Sequence, residues 1–163
     1  NSSNGNVLAL IEIKEWKFKL INQTFLCEDF KLQESIKQIH DLETEKLLKK
    51  IFQNITVSQK ESLKKDFDAR LSIKYNKLNV EILLKNNEAI LKIDINSLLE
   101  IKNNNEITFK SSVNAKGSGK KVFLLNCSID QMIIDTVSRT IEDYLIVLRD
   151  KLYEGISYVK KKN

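Results

Sequence analysis

Cys27, Cys127 and His40 are the side chains best suited to nucleophilic or soft-metal chemistry, and the sequence has no other cysteine or histidine. A zinc site wants four ligands in short paired spacings, whereas the cysteines stand 100 residues apart with the one histidine between them. They read as reduced thiols used as small hydrophobes. Serine and cysteine nucleophiles need an imidazole held by a third group, so a lone His40 leaves no triad. Glu142 and Asp143 are adjacent on a helical stretch and do not face each other as an acid–base pair. Gly119-Lys120 looks like the end of a phosphate-binding loop. That loop requires a glycine five residues before its G-K pair and a Ser or Thr after it, where this chain has Asn114 and Lys121. A protein with no enzymatic activity, metal or cofactor is expected. The glycosylation triplets at Asn22, Asn54 and Asn126 are what 16 asparagines produce by chance.

The remaining chemistry is that of charge. Residues 1–68 hold 11 Lys/Arg against 11 Asp/Glu, residues 69–128 hold 10 against 5, and residues 129–163 hold 6 against 6. The net charge of +5 therefore lies in the middle segment. Such an excess serves either solubility or a basic surface that follows a phosphate backbone by releasing its counterions. Lysine outnumbers arginine 24 to 3, which disfavours bidentate guanine readout and leaves backbone contact.

A chain of 163 residues buries about 70% of its surface on folding, enough for one core and too little for two ordinary domains. At 42% hydrophobic and 30% charged, without proline and with four glycines, the composition is globular. No run approaches 18 apolar residues and Asn1-Ser2-Ser3-Asn4-Gly5 leads into no signal-like segment, so a soluble, intracellular chain is expected.

The elements that must position any site follow from periodicity. Across Val7 to Leu26, Ile11 and Ile13 give way to Trp16, Phe18 and Leu20 in the opposite phase, which predicts one long bulged strand or two short ones. Residues 33–67 switch to helical spacing, with Asp41 a candidate N-cap and Ser58 to Glu61 a capping box for a further short helix. Five strands are then predicted. The first runs from Ala69 to Tyr75, and a second carries Val80, Ile82 and Leu84 after an Asn76-Lys77 turn. A third holds Leu91, Ile93 and Ile95, a fourth Ile107 to Val113, and a fifth Lys121 to Ser128. Ser97 to Ile101 reads as one helical turn, Asn103-Asn104-Asn105 as a loop, and Ala115 to Lys120 as a flexible basic hairpin tip. A long amphipathic helix closes the chain after a Ser128/Gln131 capping box. From Ile129 to Tyr153 it spans 25 residues, about 37 Å, more than the roughly 25 Å that a small barrel covers. Part of its apolar face is thus expected to need a partner, unless the N-terminal helices cover it.

Five closely spaced strands, a helical turn after the third and a capped terminal helix match a five-stranded OB-fold barrel, mainly β with helices. From Asp66 onward the sequence also resembles the smallest subunit of the CST complex, the telomeric relative of RPA. The residues that carry the resemblance are Ala69-Arg70-Leu71-Ser72-Ile73 and Val122-Phe123-Leu124-Leu125-Asn126-Cys127-Ser128 running into a Met132-bearing helix. The 18.9 kDa mass and Lys/Asn-rich sequence suit the ciliate form, a telomerase-associated component. The resemblance implies a nuclear, telomeric, non-catalytic subunit within the telomerase holoenzyme. It would pair with the middle CST subunit through Met132, Ile133, Val137, Ile141, Tyr144, Leu145 and Leu148, and support single-stranded telomeric DNA binding and C-strand synthesis. Lys110, Lys116, Lys120 and Lys121 are the candidate phosphate contacts, with DNA held weakly or only within the complex, while Tyr75 and Phe109 read as core rather than base-stacking residues.

The chain divides as one domain into a strand and helical extension (1–66), a barrel (67–128) and a partner-binding helix (129–158). The first barrel strand is placed either at 69–75 or within 7–20. The alternative function is a lipid- or hydrophobe-binding module with a curved sheet around a long helix. It predicts an apolar cavity where the CST reading predicts a filled barrel. No membrane association is expected on either reading.

Overall fold

The computed structural model describes residues 3–13, 15–21, 32–59, 67–122 and 129–161. Period-2 alternation between Ala69 and Lys102 becomes two long strands, β4 (Ala69–Lys85) and β5 (Glu88–Asn103), joined by a tight Asn86-Asn87 turn. Asn86 takes φ 55 there, a left-handed conformation that asparagine tolerates better than most residues. A second turn at Asn104-Asn105 leads into β6 (Thr108–Val122), antiparallel to β5 along its whole length. The Asn103 side chain holds this turn by accepting from the Asn105 and Ile107 N–H groups at 3.0 Å.

β1 (Ser3–Glu12) and β2 (Lys17–Ile21) lie end to end along β4, both parallel to it. Val7 faces Ala69 and Lys17 faces Asn79, so the break between β1 and β2 costs no register against β4. β4 itself shifts register against β5 between Tyr75 and Lys77. Its buried positions accordingly move from Leu71, Ile73 and Tyr75 to Leu78, Val80, Ile82 and Leu84. The phase change anticipated within Val7–Leu26 is therefore shared by two neighbouring strands, which is how both keep their apolar faces on one side. α1 (Leu32–Ile51) crosses over to β3 (Phe52–Ser58), which pairs parallel with β1 at the sheet edge.

The result is an open mixed sheet of six strands in the order β3-β1-β4-β5-β6, with β2 beside β4, and not a closed OB barrel. Three local misreadings account for the difference. Asn76-Lys77 is a bulge inside one strand rather than a turn between two. Ser97 to Ile101 continues β5, but buried Ser97 and exposed Leu98 invert the usual polarity and hide the period of two. Ala115 to Lys120 is the interior of β6, not a hairpin tip. Asp41 lies mid-helix rather than at a helix start, and Ser58 ends a strand, the helix expected after it falling outside the described residues. Of the expected fifth strand, Lys121 and Val122 close β6; residues 123–128, with Cys127 and the Ser128 cap, fall outside the described residues, as do Cys27, Lys60 and Glu61.

α2 (Asp130–Lys161) has 32 residues and so extends about 48 Å, close to the roughly 50 Å of β6. It lies antiparallel on β6: Thr136 meets Gly119, Thr140 meets Gly117, and Gly155 meets Phe109. A Cβ on Gly117 would fall within 1.9 Å of Thr140 Oγ1, so the missing side chain is what lets the helix approach. Ile133, Val137, Ile141, Tyr144, Leu148 and Leu152 are each no more than 1% exposed. The long strands and α1 together cover the stripe that a small barrel would have left bare. No helix among the described residues is long and apolar enough to cross a membrane.

Candidate functional site

The four lysines expected to grip phosphate are all exposed on β6, spread from 110 to 121 over about 36 Å rather than gathered in a groove. Lys110 lies opposite Glu100 and Lys116 opposite Asp94, while Lys120 pairs with Glu88 at 3.2 Å. Acidic residues on β5 thus stand beside three of these lysines, while residues 69–128 keep their excess of five positive charges. The expected partner-binding residues are equally well placed by the fold. Ile133, Val137, Ile141, Tyr144 and Leu148 are buried in the chain's own core, and Met132 and Leu145 pack half-buried against it. Tyr75 is fully buried and Phe109 packs against Tyr158 at 5.9 Å between ring centres.

At the centre of that core lies a chain of polar groups that the sequence did not reveal. His40, on α1, is fully buried, with Nδ1 3.0 Å from Asp41 Oδ1 and Nε2 2.6 Å from Tyr75 Oη. A carboxylate only accepts, so Nδ1–H donates to Asp41 and the Tyr75 hydroxyl donates to Nε2. The Tyr75 and Tyr144 rings follow at 5.6 Å, and Tyr144 Oη meets Ser97 Oγ at 2.6 Å. Thr44 ties the start of this row to the helix by donating to the His40 carbonyl at 2.7 Å. Each polar atom has a partner, which is the condition for burying a network without loss. Four elements, α1, β4, β5 and α2, are fixed against one another by it.

Burial pushes the Tyr75 phenol well above its usual value of 10.0, with the neighbouring Tyr144 adding to the shift. Burial likewise pushes Tyr144 up to about 12. Tyrosines in the unfolded chain ionise near pH 10, so above that pH the folded chain binds more protons than the unfolded one. Their contribution is intact below pH 10 and is lost as the pH climbs toward 12. At pH 11 the two phenols together are expected to lower unfolding stability by roughly 3 kcal/mol, at about 1.4 kcal/mol each. Urea unfolding at pH 8 and pH 11 measures this, and an unchanged midpoint would mean that the tyrosines are not buried as a pair.

The polar row ends beside an open cleft of about 550 Å³. The end of β1 supplies Ile11, Glu12 and Ile13, the link to β2 supplies Glu15 and Trp16, α1 supplies Gln33, Glu34 and Lys37, and Gln59 follows β3. An adjoining hollow of about 250 Å³ shares Ile11, Ile13 and Gln59 and adds His40, Asp41, Thr44, Glu45, Val57 and Ser58. The larger cleft therefore mixes three apolar side chains with a polar majority of carboxylates, amides and Lys37. Trp16 is 7% exposed and stands edge-on to His40 at 6.1 Å. Its indole Nε1 is buried and has no hydrogen-bond partner among the described residues. A buried donor left unpaired costs about 1–3 kcal/mol. Sequence reasoning missed the cleft. Its one visible signal was the chain's only tryptophan standing at the phase break between β1 and β2.

No family model and no curated protein matches the chain. Solved structures similar to it include a minor lipoprotein from Acinetobacter baumannii, at 8% identity and TM-score 0.44 over 90% of this chain and 89% of that one. A neuraminyllactose-binding hemagglutinin homolog from Helicobacter pylori is 12% identical with TM-score 0.47, over 99% and 89%. A Xanthomonas campestris protein of the DUF330 family is 9% identical with TM-score 0.42, over 99% and 87%. At such scores the likenesses support no functional transfer. The sheet is open where the CST subunit requires a barrel. The resemblance to the CST subunit is thereby corrected. With it fall the middle-subunit and telomerase partners, the telomeric DNA role and the nuclear location.

Proposed function

We propose that this chain is a non-catalytic module that binds a lipid or similar hydrophobe in the cleft between β1, α1 and β3. The observation that carries this reading is the cleft itself, with Ile11, Ile13 and Trp16 in its walls and an indole N–H without a partner. A curved sheet against a long helix is the architecture anticipated for such a module. Packed side chains fill the space between β4, β5, β6 and α2, so the ligand belongs at the open end, where β1 stops and the chain turns into β2. The Asp41–His40–Tyr75 row, buried at His40 and Tyr75, forms the floor of this site and ties α1 to β4.

Trp16 is the chain's one tryptophan, so its fluorescence reads the cleft directly. Titration with the neutral hydrophobe N-phenyl-1-naphthylamine is expected to give saturable binding with energy transfer from Trp16. Ile13→Glu, at a half-buried wall position, removes an apolar contact worth about 1.5 kcal/mol or more and is expected to weaken binding at least tenfold. Unsaturable binding, or binding indifferent to Ile13→Glu, refutes the assignment.

A further inference from the structure

We infer that the face of the sheet turned away from α1 and α2 docks on a bilayer rich in anionic lipid, a role separate from that of the cleft. Both helices pack on the other face, where Tyr75 meets His40 and Gly117 meets Thr140, so no described helix covers this one. Side chains in register with Lys74, Asn79, Asp94 and Lys116 point outward, and along the strands they include 11 Lys/Arg against 5 Asp/Glu. Lys74, Lys77 and Lys85 on β4 and Lys110, Lys116 and Lys120 on β6 are among them, all exposed. Asp94 meets Lys77 at 3.7 Å and Glu88 meets Lys120 at 3.2 Å. Even with Glu106 of the turn, which meets Lys102 at 2.5 Å, the face keeps a surplus of five positive charges. α1 and α2 together hold 9 Lys/Arg against 10 Asp/Glu, so the helical side has no such surplus. Residues outside the described set add six lysines and four acids, so they do not reverse the sign.

Charge alone would serve solubility. Two further features of the same face select the partner. Leu98 and Val122 stand outward among the lysines, 38% and 63% exposed, with Leu83 and Ile90 half-buried on the same side. Exposed aliphatic side chains flanked by lysines suit an interface where acyl chains lie beneath a charged surface. The aromatics of β4 and β6, Tyr75 and Phe109, turn instead toward Tyr144 and Tyr158 of α2, so these strands offer no ring on which a nucleic-acid base could stack. The lysines are also spread over several strands rather than along one groove, which matches a surface of lipid head groups better than a single thread. Each lysine close to an anionic leaflet strengthens binding roughly fivefold, and the attraction fades within a Debye length of about 8 Å at physiological salt.

Co-sedimentation of the full chain with two kinds of vesicle tests this docking: phosphatidylcholine alone, and phosphatidylcholine with three parts in ten phosphatidylglycerol. Saturable binding to the anionic vesicles only, lost in 0.5 M NaCl, is expected. Lys74→Gln/Lys92→Gln/Lys116→Gln, all at exposed positions on this face, is expected to weaken it at least thirtyfold. Lys46→Gln/Lys49→Gln/Lys50→Gln removes the same charge from exposed positions of α1 and is expected to weaken it about threefold or less. Leu98→Asn keeps the charge and is expected to weaken binding about threefold with its salt dependence unchanged. Equal losses in the two triple variants would overturn the assignment to this face, since binding would then follow net charge alone. Equal binding to both kinds of vesicle, or binding to neither, would overturn docking by charge. Tighter binding to a twenty-base oligodeoxythymidylate than to the anionic vesicles would show a thread-binding surface and overturn the bilayer as its occupant.

Discussion

Ile141→Asp is expected to unfold the chain rather than expose a docking face. Ile141 is 1% exposed on the face of α2 that packs against the sheet and α1. Deleting a buried isoleucine costs about 2–5 kcal/mol, and the carboxylate that replaces it is buried with no cationic partner. The sum exceeds about 5 kcal/mol, comparable with the entire stability of an ordinary domain. Ile146→Asp, one turn further along the same helix at a position 49% exposed, is the control and is expected to change stability by no more than about 0.5 kcal/mol. Circular dichroism and thermal melting of both variants decide the matter. A folded Ile141→Asp protein would show that the apolar stripe of α2 is not packed within the chain.

Gly117→Ala carries the second large effect, with a sign opposite to the usual one. Alanine in a strand normally gains roughly 0.5–1 kcal/mol over glycine because it constrains the unfolded chain. Here the new Cβ would sit 1.9 Å from Thr140 Oγ1 and 3.1 Å from Thr140 Cβ. Thr140 Oγ1 also donates to the Thr136 carbonyl at 2.8 Å, so the hydroxyl has a bond to lose by moving. A loss of about 3 kcal/mol is expected from overpacking, lowering Tm by roughly 6–12 °C for a chain of this size. Thr140→Ala removes the hydroxyl and is expected to restore more than half of that loss in the double variant. Additive losses in the cycle would place the helix away from Gly117.

That glycine also shows where the sequence was legible and where it was not. Local periodicity located the strands at Ala69–Tyr75, Val80–Leu84 and Leu91–Ile95 and the terminal helix, because each buries one face of a regular element. It even registered the phase break after Ile13. What it could not supply was the neighbour that gives an irregular residue its meaning. Gly117 and Gly119 read as a flexible tip, yet they are flat ground on which Thr140 and Thr136 rest. Ser97 read as a helix former, yet it is a buried partner for Tyr144 from a helix 47 residues away. Asn76 read as a turn, yet β4 continues through it as a bulge. These errors together cut three long strands into pieces of barrel length. β3 was missed because Phe52–Ser58 shows little alternation as a parallel edge strand.

The cleft was less legible still. Its walls come from residues 11–16, 33–45 and 57–59, three stretches brought together only by the crossover from β1 through α1 to β3. Nothing in the spacing of Glu12, Glu15 and Glu34 distinguishes a cleft rim from an ordinary solvated surface.

The most direct measurement is the indole N–H resonance of Trp16, a single assignable peak in a chain with one tryptophan. On titration with N-phenyl-1-naphthylamine this resonance is expected to shift as the cleft beside Trp16 fills, with concerted shifts at Ile11 and Ile13 and none at Leu148 on α2. An indole resonance that stays still while the ligand binds, or shifts centred on α2, would contradict a ligand site between β1, α1 and β3.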